Sequence, residues 1–386
     1  MSSGPSVRAA PRRFRLAHPA PWIALAALVL SGVSGARLRA RRAALSPRAS
    51  GAAAVQAGGG GSSTLTAAAV ALGGFRGVLA DALWLRAGRL QEKRRFTELV
   101  QLSDWITALE PENEEVWTFH AWNLAYNVSS LLPDAADRWR WVQSGVELLR
   151  DRGIPANPGS SVLRRELGWL FQHKIGSDTD SAADFYRTEW AREVSAYLGP
   201  AGEAPEADSL DAEELAGALR MDASAMRALE ERFGPVDWRV PMASSLYWGM
   251  QALELARGRD DLSCRRMVYV SLAEMTRHAG RLVGDAADED WTYSAEPNFE
   301  LLDATVAFLE ESVRVGGFSG TKHALATMYF DAIAIELALG RETRAREWHA
   351  RLCDFLRQCG LRSVPAWDAL GPDTPDEVDS ELERVL

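Results

Sequence analysis

Leu83-Trp-Leu-Arg-Ala-Gly-Arg-Leu90 and Trp117-Thr-Phe-His-Ala-Trp-Asn-Leu124 fall into register when the chain is shifted by 34 residues. A bulky residue opens each stretch (Leu83, Trp117). A small one follows four positions later (Ala87, Ala121), and leucine closes it (Leu90, Leu124). Offsets of four and three place all three residues on one helical face. The small central residue lets a second helix approach that face closely. Phe96, Leu99, Ser103 and Ile106 supply such a helix after the first stretch, and Pro111 closes the unit. The pair of stripes therefore reads as a helical unit that recurs.

Further units lie outward from this pair. Leu167-Gly-Trp-Leu-Phe171 opens a third, and Tyr329, Ile333, Leu337, Gly340, Ala345, His349 and Leu352 outline a fourth. Trp117, Ala121 and Leu124 open the second, whose partner helix is delayed by Leu131-Leu-Pro-Asp134. Residues 81–195 and about 321–360 thus resemble the tetratricopeptide-repeat family, which has a 34-residue period. One departure is Arg94, where that repeat usually turns on glycine. The stretches Glu98-Leu-Val-Gln-Leu102, Asp137-Arg-Trp-Arg-Trp-Val142 and Glu166-Leu-Gly-Trp-Leu-Phe-Gln-His-Lys174 also resemble a group of uncharacterised bacterial membrane-anchored proteins. That second resemblance implies no activity. The repeat family implies an all-α superhelix of stacked antiparallel hairpins, whose concave face binds a peptide or helix of a partner protein.

The rest of the body carries the same periodicity with frequent stops. Gly153 with Pro155, Gly234-Pro235, Gly258, Gly316-Gly317 and Gly340 mark helix ends. Asp211 with Glu214, and Thr374-Pro-Asp-Glu377, mark helix starts. Strand-like alternation is nearly absent, and ten to thirteen helices are expected. Ala201–Asp208 and Asp285–Pro297 read as acidic loops. Met242–Ala256 and Leu262–Leu282 read as long helices with apolar faces between them.

Of the 386 residues, 47% are hydrophobic and 25% charged, enough to build a core along most of the chain. Three cysteines exclude a disulfide scaffold. Charge is divided sharply. Residues 1–80 hold ten arginines and no acid, whereas residues 81–386 carry 33 bases against 53 acids, a net charge of −20. So acidic a body argues against nucleic-acid binding, which needs cations for phosphate.

Leu16–Ala36 is a run of 21 residues without acid, lysine or arginine, centred on Trp22-Ile-Ala-Leu-Ala-Ala-Leu-Val-Leu30. A run of about 20 apolar residues suffices to span a bilayer. A signal peptide shares a basic start and small residues such as Val33-Ser-Gly35. Five arginines follow at once, however (Arg37, Arg39, Arg41, Arg42 and Arg48), a poor start for a mature chain, so an uncleaved anchor is expected. Four arginines and the amino terminus precede the run, which leaves the positive-inside rule nearly balanced. The expectation is a single-pass inner-membrane protein with its body outside the cytoplasm. The resulting division is a basic tail (1–15), the anchor (16–36), an Arg/Ala/Gly-rich linker (37–63) and repeats (64–195). Irregular hairpins with acidic loops follow (196–320), then a C-terminal hairpin with an acidic tail helix (321–386).

No recognised catalytic arrangement emerges. No two of the six histidines are spaced for a shared metal on one helical face. Asp178, Asp180 and Asp184 lack the central glycine of a calcium loop and are better suited to capping. Gly316-Gly-Phe-Ser-Gly-Thr-Lys322 has the composition of a phosphate loop in the wrong order. No cofactor is implied. Fourteen tryptophans, eight of them between Trp84 and Trp190, either wedge between stacked helices or line an aromatic groove. Polar residues suited to partner contact are Glu166, Gln172, His173 and Lys174, with Arg138 and Arg140 flanking Trp139. Asn123 corresponds to the groove asparagine of tetratricopeptides that grip a carboxylate tail, although their lysines are missing here.

These observations point to a non-catalytic, membrane-anchored adaptor that binds other proteins of an envelope complex. Self-association is a further possibility. The competing expectation is an envelope enzyme acting on a lipid or glycan, with its site in 196–320.

Overall fold

The computed structural model describes residues 76–385, apart from 287, 289, 317–318, 362–363 and 372–373. The expected anchor at 16–36 lies outside the described residues. Among them, no helix is long and apolar enough to cross a membrane. By internal contacts the chain divides into residues 1–89 and 90–386.

The fold is all-α. Fourteen α-helices occur among the described residues, slightly more than the ten to thirteen expected. The first, α1 (Arg76–Glu92), crosses the division between the two units. In the second unit α2 (Phe96–Leu109) packs on α3 (Glu114–Trp122), which runs on through a π-helical segment, π1 (Asn123–Val128), and a 3-10 turn (Ser129–Leu131). Leu132 is extended because it precedes Pro133, and the carboxylate of Asp134 then caps α4 (Ala135–Glu147) through the amides of Ala136 and Asp137. The insertion at 131–134 is therefore the inter-helix turn.

The structure departs from the expected stop at Gly153 and Pro155. Helix α4 continues through π2 (Leu148–Gly153) and a last turn (Ile154–Ala156), and ends only at Asn157. Proline supplies no amide proton, and the wider π turn upstream accommodates that missing donor. Asn157 closes the helix, its side-chain amide donating to the carbonyls of Gly153 and Pro111. A third such pairing follows as α5 (Ser161–Trp169) and π3 (Leu170–Ile175).

Helices α6 (Ala183–Ser195), α7 (Leu210–Leu219) and α8 (Ala223–Phe233) come next. The cap of α7 is Ser209, whose side chain accepts from Ala212, rather than Asp211, because the helix begins at Leu210. The two long helices of the irregular region are α9 (Pro241–Leu255) and α10 (Arg259–Arg277). The second stops short of the expected Leu282 because the chain turns into β1 (Arg281–Leu282), paired antiparallel with β2 (Ala295–Glu296). This two-stranded ribbon is the only sheet among the described residues. The chain ends in α11 (Leu302–Gly316), α12 (Ser319–Ala338), α13 (Glu342–Gln358) and α14 (Thr374–Val385).

Packing beyond α5 is largely serial: α5 on α9, α9 on α10, then α11, α12 and α13 in turn, with α14 against α12. One buried apolar cluster runs from Trp117 to Leu382. Six tryptophans (Trp117, Trp139, Trp190, Trp238, Trp248 and Trp348) are buried in it, as wedging between helices requires.

Candidate functional site

Gly168 brings α5 against its neighbours. A Cβ there would stand 2.6 Å from the Met267 sulfur and 3.3 Å from the Ser245 carbonyl. This close approach sets α5 and π3 beside α10. Gln172 fixes the juxtaposition from within, donating to the Met267 carbonyl at 3.1 Å and the Ser271 hydroxyl at 2.9 Å. Ser271 in turn donates to Ser245 on α9 at 2.9 Å. A buried amide with two partners defines one register where apolar packing alone would tolerate several.

A groove of about 980 Å³ opens where π3, α6, α9, α10 and β2 converge. Its floor is Met242, Met267 and Val270, and its rim carries Glu166, Arg266 and Glu274. One wall carries Trp169, stacked on His173 at 4.7 Å; off the groove lining, Trp122 stacks on Tyr126 at 4.6 Å. Each pair is four residues apart on its helix. The pairs join where the Tyr126 hydroxyl meets His173 Nδ1 at 3.1 Å, linking π1 to π3. Burial, and secondarily the charge of Lys174, lowers the proton affinity of His173. Burial and the charge of Glu166 push the Tyr126 phenol up. Between a neutral imidazole and a protonated phenol one hydrogen bond forms, with Tyr126 donating in the tautomer that carries its proton on Nε2. The ladder thus runs Trp122, Tyr126, His173, Trp169, with both terminal tryptophans exposed.

Arg187 forms the opposite corner. Asp178 at 2.7 Å and Asp184 both hold its guanidinium, which lies 5.4 Å from the Tyr293 ring. Arg165 pairs with Glu166 at 3.1 Å and Asp260 at 3.5 Å. The lining as a whole carries four carboxylates (Glu166, Asp178, Asp184, Glu274) against three guanidinium groups (Arg165, Arg187, Arg266).

The residues picked out by sequence take different places. Glu166, Gln172 and His173 line the groove. Lys174 lies behind it, buried against Asp180, and Arg138 reaches the same carboxylate at 3.0 Å. Asn123 is interior, with Oδ1 accepting from Asn127. Arg140 stands apart on the outer surface beside Asp137. The far wall from Met242 to Tyr293 was not anticipated. It comes from two helices and the segment leading into β2, more than 60 residues downstream of π3, with no local motif to mark it. The one usable clue was Gly168 inside an apolar helix, which requires a closely packed neighbour. No protein-family description matches this chain, and no curated protein matches it.

Proposed function

We propose that the chain is a membrane-anchored adaptor whose groove between π3 and α10 receives a segment of a partner protein in an envelope complex. The observation that carries this reading is the groove's make-up: a methionine-lined floor between the stacked Trp169–His173 wall and a charged rim. Methionine adapts to irregular apolar side chains, while exposed tryptophan offers a large, rigid contact at low entropic cost. Acids outnumber bases in the lining, and residues 81–386 carry a net charge of −20. The favoured occupant is therefore an apolar segment bearing lysine or arginine. Under this reading the serial hairpins form a tetratricopeptide-like superhelix. Residues 16–36 hold it at the inner membrane, and the linker lets the body, outside the cytoplasm, reach its partner.

A photo-crosslinking residue placed at Val270, on the groove floor, tests this in native membranes. One protein should be captured from position 270, not from the remote Arg140 position, and capture should fall when Trp169 is replaced by alanine. Equal capture from both positions, or none from position 270, would rule the groove out. Capture of a second copy of this chain would replace the adaptor by self-assembly.

A further inference from the structure

A second constellation lies far along the chain, where α12 meets α14. Asp379 and Glu383 are one turn apart on α14, so both project from the same face. His323, on the first turns of α12, faces them. The three side chains bring ligand-type atoms within 4.8 Å of one another. His323 Nε2 stands 3.6 Å from Asp379 Oδ1.

The orientation of His323 follows from its neighbours. Nδ1 lies 2.7 Å from the carbonyl oxygen of Ser319, four residues back on the same helix. A carbonyl only accepts, so Nδ1 donates there and Nε2 is turned toward α14. Nε2 is withdrawn from water and has no hydrogen-bond partner. It faces the carboxylates of Asp379 and Glu383. A cation held between the three groups would give all of them a partner.

We propose that His323, Asp379 and Glu383 bind a divalent first-row transition metal of the zinc type, and that the ion fastens the C-terminal helix α14 to α12. A histidine fixed through its other ring nitrogen to a backbone carbonyl is the usual arrangement of a metal-bound imidazole. One nitrogen and two carboxylate oxygens suit zinc. Magnesium and calcium prefer all-oxygen shells. Tetrahedral bonds of about 2.0–2.2 Å put ligand atoms about 3.3–3.6 Å apart, so Asp379 stands at or within a few tenths of an ångström of its place. Glu383 is exposed, and a rotation of its side chain closes the remainder. Three protein ligands leave the fourth position to water. Histidine spacing does not mark this set, since its single histidine and its carboxylates are more than fifty residues apart.

Zinc chloride titrated calorimetrically into metal-free full-length protein should show one high-affinity equivalent. Magnesium chloride in excess should leave it in place. His323→Ala and Asp379→Asn should each weaken binding by about tenfold or more. Glu383→Gln, at an exposed position that leaves folding intact, should weaken it by about tenfold. Zinc should also slow proteolytic release of α14 in the wild type and not in Glu383→Gln. Absence of a one-to-one zinc site would overturn the proposal. So would unchanged affinity in His323→Ala and Glu383→Gln, which would place the zinc on other histidines or cysteines.

Discussion

Lys174 and Asp180 meet at 2.6 Å, with only 4% and 9% of their side chains exposed. The pair anchors the ladder from behind. Lys174 Nζ lies 5.1 Å from the Tyr126 ring and 5.7 Å from Tyr186, so its charge is shared between a carboxylate and two aromatic faces. Asp180 also takes Arg138 at 3.0 Å and the amide of Ala182 at 3.0 Å, which caps the approach to α6. Of the three aspartates 178, 180 and 184, only Asp180 is largely buried, at the centre of an ionic knot joining π3, α4 and α6, while Asp178 and Asp184 are exposed on Arg187.

Removing Asp180 leaves two cations without their shared partner, one of them buried. Asp180→Ala is expected to cost about 3–5 kcal/mol in urea unfolding, whereas Lys174→Met costs less because Arg138 remains on the carboxylate. Burial alone would raise the carboxyl's pKa, but hydrogen bonds from Lys174 and Ala182 and the charges of Lys174 and Arg138 hold it below its usual value. Its stabilising contribution is therefore complete above the ordinary aspartate range, and is lost as pH falls through the lowered value. Equal costs for the two substitutions would argue that Arg138 plays no part.

Gly168 admits no side chain without displacing Met267. Gly168→Ala should cost about 1–3 kcal/mol as overpacking, since the sulfur can yield but the Ser245 carbonyl cannot. The displaced Met267 forms part of the groove floor, so partner capture from position 270 should fall as well. A variant with wild-type stability and capture would show that the contact is slack.

Much of the fold was legible because helices leave periodic marks. The stripes at Trp117, Ala121 and Leu124, and at Phe96, Leu99 and Ile106, are buried as their spacing requires; Phe96 alone is half-buried. The three π segments were not legible. A single widened turn shifts the apolar stripe by about one residue, a change that a short sequence cannot distinguish from ordinary irregularity of the pattern. The groove was half legible: Glu166, Gln172 and His173 share one helix, while Met242, Met267 and Tyr293 reach it only through the packing of distant elements.

Arg94 shows a sequence departure becoming a structural one. It occupies the turn between α1 and α2 with φ of 54°, the left-handed conformation that glycine adopts without strain. The Arg95 amide closes the turn on the Leu90 carbonyl at 2.9 Å. Arg94 is exposed. Arg94→Gly should therefore raise stability by about 1 kcal/mol through relief of that strain, less the extra chain entropy that glycine brings to the unfolded state. A lower melting temperature in the variant would mean that the arginine side chain contributes more than its backbone costs.

His120 gives the chain a pH dependence near neutrality. Its side chain is 2% exposed on α3, and neither ring nitrogen has a hydrogen-bond partner. Burial first, and then the nearby charge of Arg152, lowers its pKa to about 4. Unfolding frees the ring to take up a proton near pH 6.5. Below that value the unfolded state therefore binds more protons than the folded one. Stability supplied by the neutral ring is complete above about pH 6.5 and declines, by about 1.4 kcal/mol per unit, until the folded ring protonates as well. Wild-type protein should lose on the order of 2 kcal/mol more than His120→Gln between pH 7 and pH 5, whatever the two stabilities at pH 7. Parallel stability curves for the two proteins in urea unfolding would mean that His120 is already charged, or hydrated, in the folded state.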